Sequence, residues 1–388
     1  MLKAKVILPI IVIAQFFCTS IWFAGNAVIT TILPHANSTS ISNVLSAVQF
    51  GFITGTLIFA FLSLSDRFSP SKIFFTSAII AAIFNIGVVY AKGDLTTILL
   101  LRFASGFFLA GIYPIGMKIV ADYYKDGLGS ALGYLVGALV LGTALPHLLK
   151  GISFNLSYQS ILQITSALAL TGGVLVGFLV PNGPFRVKSN FDASALLKIF
   201  KHAEFKAVAI GYFGHCWELY AFWAFVPQLL LQYNRINATV AINSSLMAFI
   251  IIASGSLACI ISGYFSKKIG VKRLATIILL LSCLCCLLSP LLFYIASIWL
   301  VFVILVVWGM LVVADSPLFS TLMAQHAPVA LKGTALTIAN CIGFSVTIIS
   351  IQCIGLLIEH INPSFAYVFL AFGPIVGLIS LAKKRQIE

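Results

Sequence analysis

Charge is what this sequence lacks. Only 9% of its 388 residues are Asp, Glu, Lys or Arg, while 61% are hydrophobic. A soluble domain carries about 25% charged residues because its surface has to be hydrated. So few charges cannot cover a water-facing surface, and most of the outside must face lipid. Two further absences narrow the class. No Gly-x-x-x-x-Gly-Lys-Ser/Thr sequence occurs, so ATP is not the energy source within this chain. No His-Glu-x-x-His or other compact nucleophile or metal set occurs either. The chain is therefore not expected to be an enzyme, nor to hold a metal or cofactor. Acids are scarcer than bases, 10 against 23, giving a net charge of +13. The bases sit in short gaps between apolar runs rather than on one face. That pattern fits loops beside anionic lipid and not a nucleic-acid surface. The eight cysteines all fall inside apolar runs. In a helix Cys283 and Cys285 face about 200° apart, so Cys283-Leu-Cys285-Cys286 is expected to pack as small hydrophobes.

What is present is a succession of apolar runs. A spanning helix needs about 20 apolar residues. Twelve such runs fit, at 6–32, 41–64, 73–91, 96–117, 128–149, 158–180, 205–231, 241–265, 273–293, 297–319, 333–358 and 365–382. The longest polar stretch, 181–206, falls in the middle, and 191–201 within it fits a short amphipathic helix on the membrane surface. The chain is thus expected to divide into a bundle at 1–180, a linker at 181–204 and a second bundle at 205–388. With the N-terminus in the cytoplasm, 19 of the 23 basic residues fall on the cytoplasmic side and only Lys92, Lys150 and Arg235 outside. Both termini are then cytoplasmic. Short loops and few insertions point to a bacterial inner membrane.

The two halves repeat. Ser65-Asp66-Arg67-Phe68 matches Ser266-Lys267-Lys268-Ile269 at an offset of 201, and Gly106 and Pro114 match Gly309 and Pro317 at 203. Gly129-Ser-Ala-Leu132 matches Gly333-Thr-Ala-Leu336 at 204. Two parallel six-helix repeats around a central cavity near the midplane are expected.

On these residues the chain resembles the major facilitator superfamily over nearly its whole length. The family's loop signature after span 2, roughly Gly-x-x-x-Asp-Arg-x-Gly-x-Arg/Lys, appears twice in degraded form. The first copy keeps Asp66 and Arg67 but has Leu62 and Ser69 for the glycines. The second, Gly263-Tyr-Phe-Ser-Lys267-Lys268-Ile-Gly270-Val-Lys272-Arg273, has Lys267 for the acid. The resemblance implies a gating role for Asp66, Arg67, Lys267 and Lys268; a basic loop that only sets topology is the alternative for the second copy. Arg102-Phe-Ala-Ser-Gly106 resembles the family's fourth-span motif. Arg102 then either faces the cavity, where it holds an anion or biases a proton site, or snorkels to the headgroups. The glycines of span 5, with Gly133-x-x-x-Gly137, resemble an exporter motif without its Gly-Pro pair, and serve helix packing equally well.

Candidate substrate and coupling residues follow from cost. Glu218 lies near the centre of span 7, where a charge is least tolerable, with His215 three residues earlier on the same face. The two are expected to form a proton-carrying pair, with Glu218 the principal coupling residue. Asp315, before Ser316-Pro317 in span 10, is the other embedded acid. Gln15, Thr19, Trp22 and Asn26 fall on one face of span 1, and Gln49 and Thr56 extend that polar stripe onto span 2. Trp217, Tyr220 and Trp223 either line the cavity or face lipid. The expected function is secondary active transport of a small solute by alternating access, driven by protons, by a chain working as a monomer. Anion or carboxylate uptake, drug or metabolite export, and a non-transporting receptor of the same fold are the alternatives. Single cysteines placed at Ser38 and Ser189 should react with an impermeant thiol reagent from opposite sides of the membrane. Reaction of both from the same side would defeat the twelve-span topology.

Overall fold

The structure, a computed structural model, describes residues 4–124, 128–152, 156–186, 198–237, 242–328 and 331–382. Lys3, Lys125, Lys188, Ser189, Lys383, Lys384 and Arg385, with positions 191–197 of the expected surface helix, lie outside them.

Among the described residues twelve helical spans are present. They are Val6–Ile32, Ser38–Phe61, Pro70–Ala91, Leu95–Tyr123, Leu128–Ile152, Tyr158–Leu179, Ala203–Asn237, Ser244–Ile269, Val271–Tyr294, Ile298–His326, Gly333–His360 and Pro363–Ala382. Eleven are long and apolar enough to cross a membrane by composition alone. The seventh, Ala203–Asn237, runs 35 residues and carries His215 and Glu218 within it. Spans 4, 7 and 10 extend past the expected ends because the helix continues into polar residues once its apolar stretch is over. Polar side chains also start the helices. Asn37, Asp94, Ser157, Asn243 and Ser297 each cap the helix that follows by accepting a backbone N–H. Asp94 accepts from both the N–H and the hydroxyl of Thr97, which holds its carboxyl below the usual range.

Three spans are broken. Span 1 interrupts at Ser20, between helices Ala4–Thr19 and Ile21–Ile32. Span 4 breaks between Leu95–Leu109 and Tyr113–Tyr123, and span 10 between Ile298–Ala314 and Ser316–His326. The last two breaks are equivalent in the repeat. Each is followed by a proline, Pro114 or Pro317, in the first turn of the new helix, where its missing N–H costs nothing.

The spans pack in matching pairs. Span 2 lies on 4 as 8 lies on 10, 1 on 6 as 7 on 12, and 3 on 6 as 9 on 12. The 2–4 and 8–10 crossings are close because glycines sit at corresponding points. Gly106 rests on the backbone of Val48 and Gly309 on that of Ile251, where any Cβ would collide with a carbonyl oxygen.

The halves meet along spans 2 and 11 and along spans 5 and 8. We call the end that bears Arg67, Lys72, Lys118, Arg186, Lys267 and Lys268 the basic end. Among the described residues, the hydrogen bonds that join the halves all lie at the opposite end. Thr39 donates its N–H and hydroxyl to the Glu359 carboxylate at 2.7 and 2.9 Å. Gln352 donates to Asn43 and Ser46, Gln228 to Ser38, Ser42 to the Ile351 carbonyl and Asn243 to the Gly151 carbonyl. Spans 5 and 8 follow the same gradient. Gly151 touches Leu246 and Gly137 touches Ser256, but Gly129 and Gly263, towards the basic end, meet nothing within 4 Å. The interface is closed at one end and splays at the other. Cysteines at Ser42 and Gly355, in a protein freed of its native cysteines, should join on mild oxidation, because a Cβ on Gly355 would sit against the Ser42 side chain. Failure to cross-link in membranes would show that this end is open at rest.

Candidate functional site

Arg102 is fully buried. Its guanidinium neither snorkels to the headgroups nor reaches the seam between the halves. It donates to the carbonyls of Ile21 (3.1 Å) and Trp22 (2.5 Å), just after the break in span 1, and to Asn85 Oδ1 of span 3 (3.2 Å). Asn85 in turn donates to the Leu162 carbonyl and to the Thr165 and Ser166 hydroxyls of span 6. One cation therefore ties spans 1, 3 and 4 together and, through Asn85, span 6. Gly25 makes room for it, since any Cβ there would meet the guanidinium. The sequence shows a buried arginine; it does not show that backbone carbonyls and an asparagine 17 residues away receive it.

In the second half the expected pairing of His215 with Glu218 is not what forms. His215 Nδ1 lies 2.7 Å from Asp315 Oδ1, and both side chains are 1% exposed. Asp315 is the joint residue between the two helices of span 10. Tyr212 stacks on the imidazole at 6.0 Å and donates to Asn340 of span 11. Glu218 turns towards spans 9 and 10, where Oε1 accepts from Ser282 Oγ at 2.5 Å and from Trp308 Nε1 at 2.7 Å. The two residues share a helix, but a step of three residues turns the face by about 60° and moves it one turn along the axis. That is enough to give them different neighbours.

Gln15, Thr19 and Trp22 of the polar stripe of span 1 are buried inside the protein, and Asn26 is half-buried. Gln15 lies over Gly116, and Thr19 lies on Gly142 while donating to the Gln15 carbonyl. Asn26 donates to the Ile41 carbonyl at the start of span 2. Where an open cavity was expected, the midplane holds packed rings. Trp22 lies 4.8 Å from Phe52, 6.0 Å from Tyr220 and 5.8 Å from Phe344, and Phe52 lies 4.6 Å from Phe344. Trp22 and Phe52 come from the first half, Tyr220 and Phe344 from the second. Trp223 closes one edge, T-shaped against Phe23 at 6.2 Å and against Tyr220 at 5.4 Å. Gln49 is fully buried one turn before Phe52. Trp217 is a correction: it faces the seam with span 12, donating to the Phe369 carbonyl and packing on Phe372.

At the basic end, Asp66 pairs with Lys118 of span 4, which also reaches Ser65. Arg186 donates to the carbonyls of Ser65, Asp66 and Phe68. These ties join the first half and the start of the linker and do not reach the second half. Arg67 is exposed, as are Lys267 and Lys268, which lie in the last turn of span 8 where cations favour the helix dipole. Lys118, Asn85, Ser282, Phe52, Phe344 and Glu359 were not singled out from sequence; each is an ordinary residue type whose importance comes only from its neighbour.

Broken spans and buried charge within two packed six-helix repeats are features that transporter folds share. This chain belongs to the Major Facilitator Superfamily, whose family profile matches residues 11–351. Among curated proteins it is 29% identical over 158 residues to the uncharacterized transporter C36.02c of Schizosaccharomyces pombe (strain 972 / ATCC 24843). That match covers 40% of this chain and 26% of the relative, so the chain spans about a quarter of that protein's length. Among solved structures, a variant of the nucleoside transporter NupG superposes with a TM-score of 0.73 at 16% identity, covering 98% of this chain and 99% of that one. A bacterial homolog of the human lysosomal transporter Spinster, solved inward-facing and unoccupied, gives 0.66 at 14% identity, covering 97% and 94%. At these identities the likeness shows the fold.

The Arg102 tie is testable by stability. Arg102→Lys cannot span three acceptors and should lose about 1–2 kcal/mol in detergent unfolding, at about 0.6 kcal/mol for each interhelical bond. Asn85→Leu should lose a similar amount, and the double variant should lose less than the sum. An Arg102→Lys protein as stable as the wild type would show that the carbonyl contacts contribute nothing.

Proposed function

We propose that the protein moves a small solute by proton-coupled alternating access, with the bundles 1–180 and 205–388 rocking about the linker 181–204. The observation that supports this most directly is the His215–Asp315 pair. Both groups are buried in a membrane-spanning bundle, where an unpaired charge is costly, and Asp315 occupies the joint of a broken span. Protonating Asp315 removes the charge that holds His215, and the joint is then free to move relative to span 7. When the bundles open the other way, the proton leaves to water and the pair reforms. Ion-pair exchange at a helix joint is a physical route from proton binding to bundle movement.

This moves the principal coupling role from Glu218 to Asp315. Glu218 is held by two neutral donors, which satisfy its carboxyl oxygen whatever the bundles do. Anion uptake through Arg102 draws less support, since two backbone carbonyls and Asn85 already receive that guanidinium. The distribution of basic residues favours a plasma-membrane protein with the basic end in the cytoplasm. In that orientation the structure is closed to the outside.

In proteoliposomes with an imposed pH gradient, Asp315→Asn should abolish accumulation of labelled solute while leaving downhill exchange intact. Glu218→Gln should keep at least about half of the wild-type accumulation, because an amide still accepts from Ser282 and Trp308. Accumulation by Asp315→Asn at the wild-type rate would remove the pair from the coupling mechanism. Loss in Glu218→Gln alone would return the role to Glu218.

A further inference from the structure

The interior of this protein divides into polar groups that are satisfied and polar groups that are not. Arg102, Asn85 and Glu218 each have two or more partners, Arg102 through its two terminal nitrogens and not through Nε. Around the ring cluster the opposite holds. Both amide atoms of Gln15, both of Gln49, the indole nitrogens of Trp22 and Trp223 and the Thr56 hydroxyl are buried with no partner. Gln15, Gln49, Trp22 and Trp223 are 0% exposed and Thr56 is 6%. Leaving a buried polar group unpaired is costly, and native interiors leave few of them. Other unpaired atoms, among them Ser289 Oγ and Gln228 Oε1, are scattered through the bundle. Trp22 and Trp223 belong to the rings through which the two halves meet, Gln49 and Thr56 lie within about a turn of Phe52, and Gln15 lies two turns from Trp22, over Gly116.

Every one of these groups is neutral. The charged side chains nearby are already engaged. Arg102 is held by carbonyls, His215 by Asp315, and Glu218 by Ser282 and Trp308. The Lys150 ammonium donates to the Ala27 carbonyl at 2.7 Å. His147 reaches the edge of the cluster through Phe23, 6.5 Å away, and has an unpartnered Nε2. A solute with a full charge would leave water here without a counter-ion, at a large desolvation cost.

Taking the transporter assignment above as given, we infer that the ring cluster is the binding site of an uncharged, flat solute whose edge bears both hydrogen-bond donors and acceptors. Trp22, Phe52, Tyr220 and Phe344 supply ring faces on which such a molecule stacks. Gln49, one turn before Phe52, offers both donor and acceptor directions, the complement of an amide, lactam or heteroaromatic edge. The indole N–H groups donate to its remaining acceptors. A site whose own polar groups are buried rejects a molecule that lacks the matching edge, since those groups then stay unpaired.

The test uses the full-length protein in lipid nanodiscs and four probes of similar size at pH 7: benzamide, benzoate, benzylamine and cyclohexanecarboxamide. They separate charge from flatness, and saturation-transfer NMR titration reads weak binding without transport. Benzamide should bind at least about tenfold more tightly than the other three. Gln49→Leu should weaken it by about tenfold. Gln49→Glu, nearly the same shape, should shift preference from benzamide to benzylamine, a gain that misfolding does not produce. Tighter binding of benzoate or benzylamine by the wild type, equal binding of cyclohexanecarboxamide, or no binding of any probe would overturn the inference. A binding failure leaves pH-driven flux untouched, whereas lost flux with benzamide still bound would count against the transporter mechanism alone.

Discussion

Within a bilayer no water is available to a backbone group freed by a broken helix, and the arrangement of this protein follows from that constraint. Breaks in spans 1 and 10 lie beside the two most demanding side chains. Arg102 donates to carbonyls just beyond the break in span 1, and Asp315 forms the joint of span 10 against His215. The two halves answer the same demand with opposite charges that tie equivalent sets of spans, 1, 3 and 4 in the first and 7, 9 and 10 in the second. In the first, a cation on span 4 binds spans 1 and 3. In the second, a carboxyl on span 7 binds spans 9 and 10. Each half is thereby held as a unit by a group that is too costly to leave unpaired.

The contacts between the halves are of another kind. At the closed end they are hydrogen bonds among Ser, Thr, Asn, Gln and one carboxylate, many of them open to water. Water can replace such partners, so each bond contributes only about 0.5–1.5 kcal/mol net. At the midplane the contacts are aromatic rings, which slide without leaving polar groups unpaired. Strong ties within each half and exchangeable ones between them allow the halves to move as bodies. The Asp66–Lys118 and Arg186 contacts fit this division, since they stiffen the first half and do not cross to the second.

Among the buried polar atoms without a partner, which also include Arg102 Nε, Ser289 Oγ and Gln228 Oε1, those of Gln49, Trp22 and Trp223 lie at the rings. A site that must release what it binds cannot have its polar groups permanently paired within the protein. In the proposed mechanism the neutral groups at the seam bind solute and the buried charges away from it handle protons, with Tyr220 and His215 lying on the same span.

The sequence by itself determined the spans and the repeat. Runs of apolar residues as long as the bilayer is thick allow one outcome, and an offset of about 200 between matching motifs is a property of the chain alone. It also determined which residues are costly in lipid: Arg102, His215, Glu218 and Asp315. Tertiary structure decided whom each of them meets. Helical periodicity fixes the face on which a side chain leaves its own helix, but not which neighbouring span lies against that face. So His215 finds Asp315, 100 positions on, rather than Glu218 three away. Trp217 turns to span 12 while Tyr220 joins the central rings. Gln49, read from sequence as extending the polar stripe of span 1, is buried without a partner one turn before Phe52, whose ring meets Phe344 of the other half.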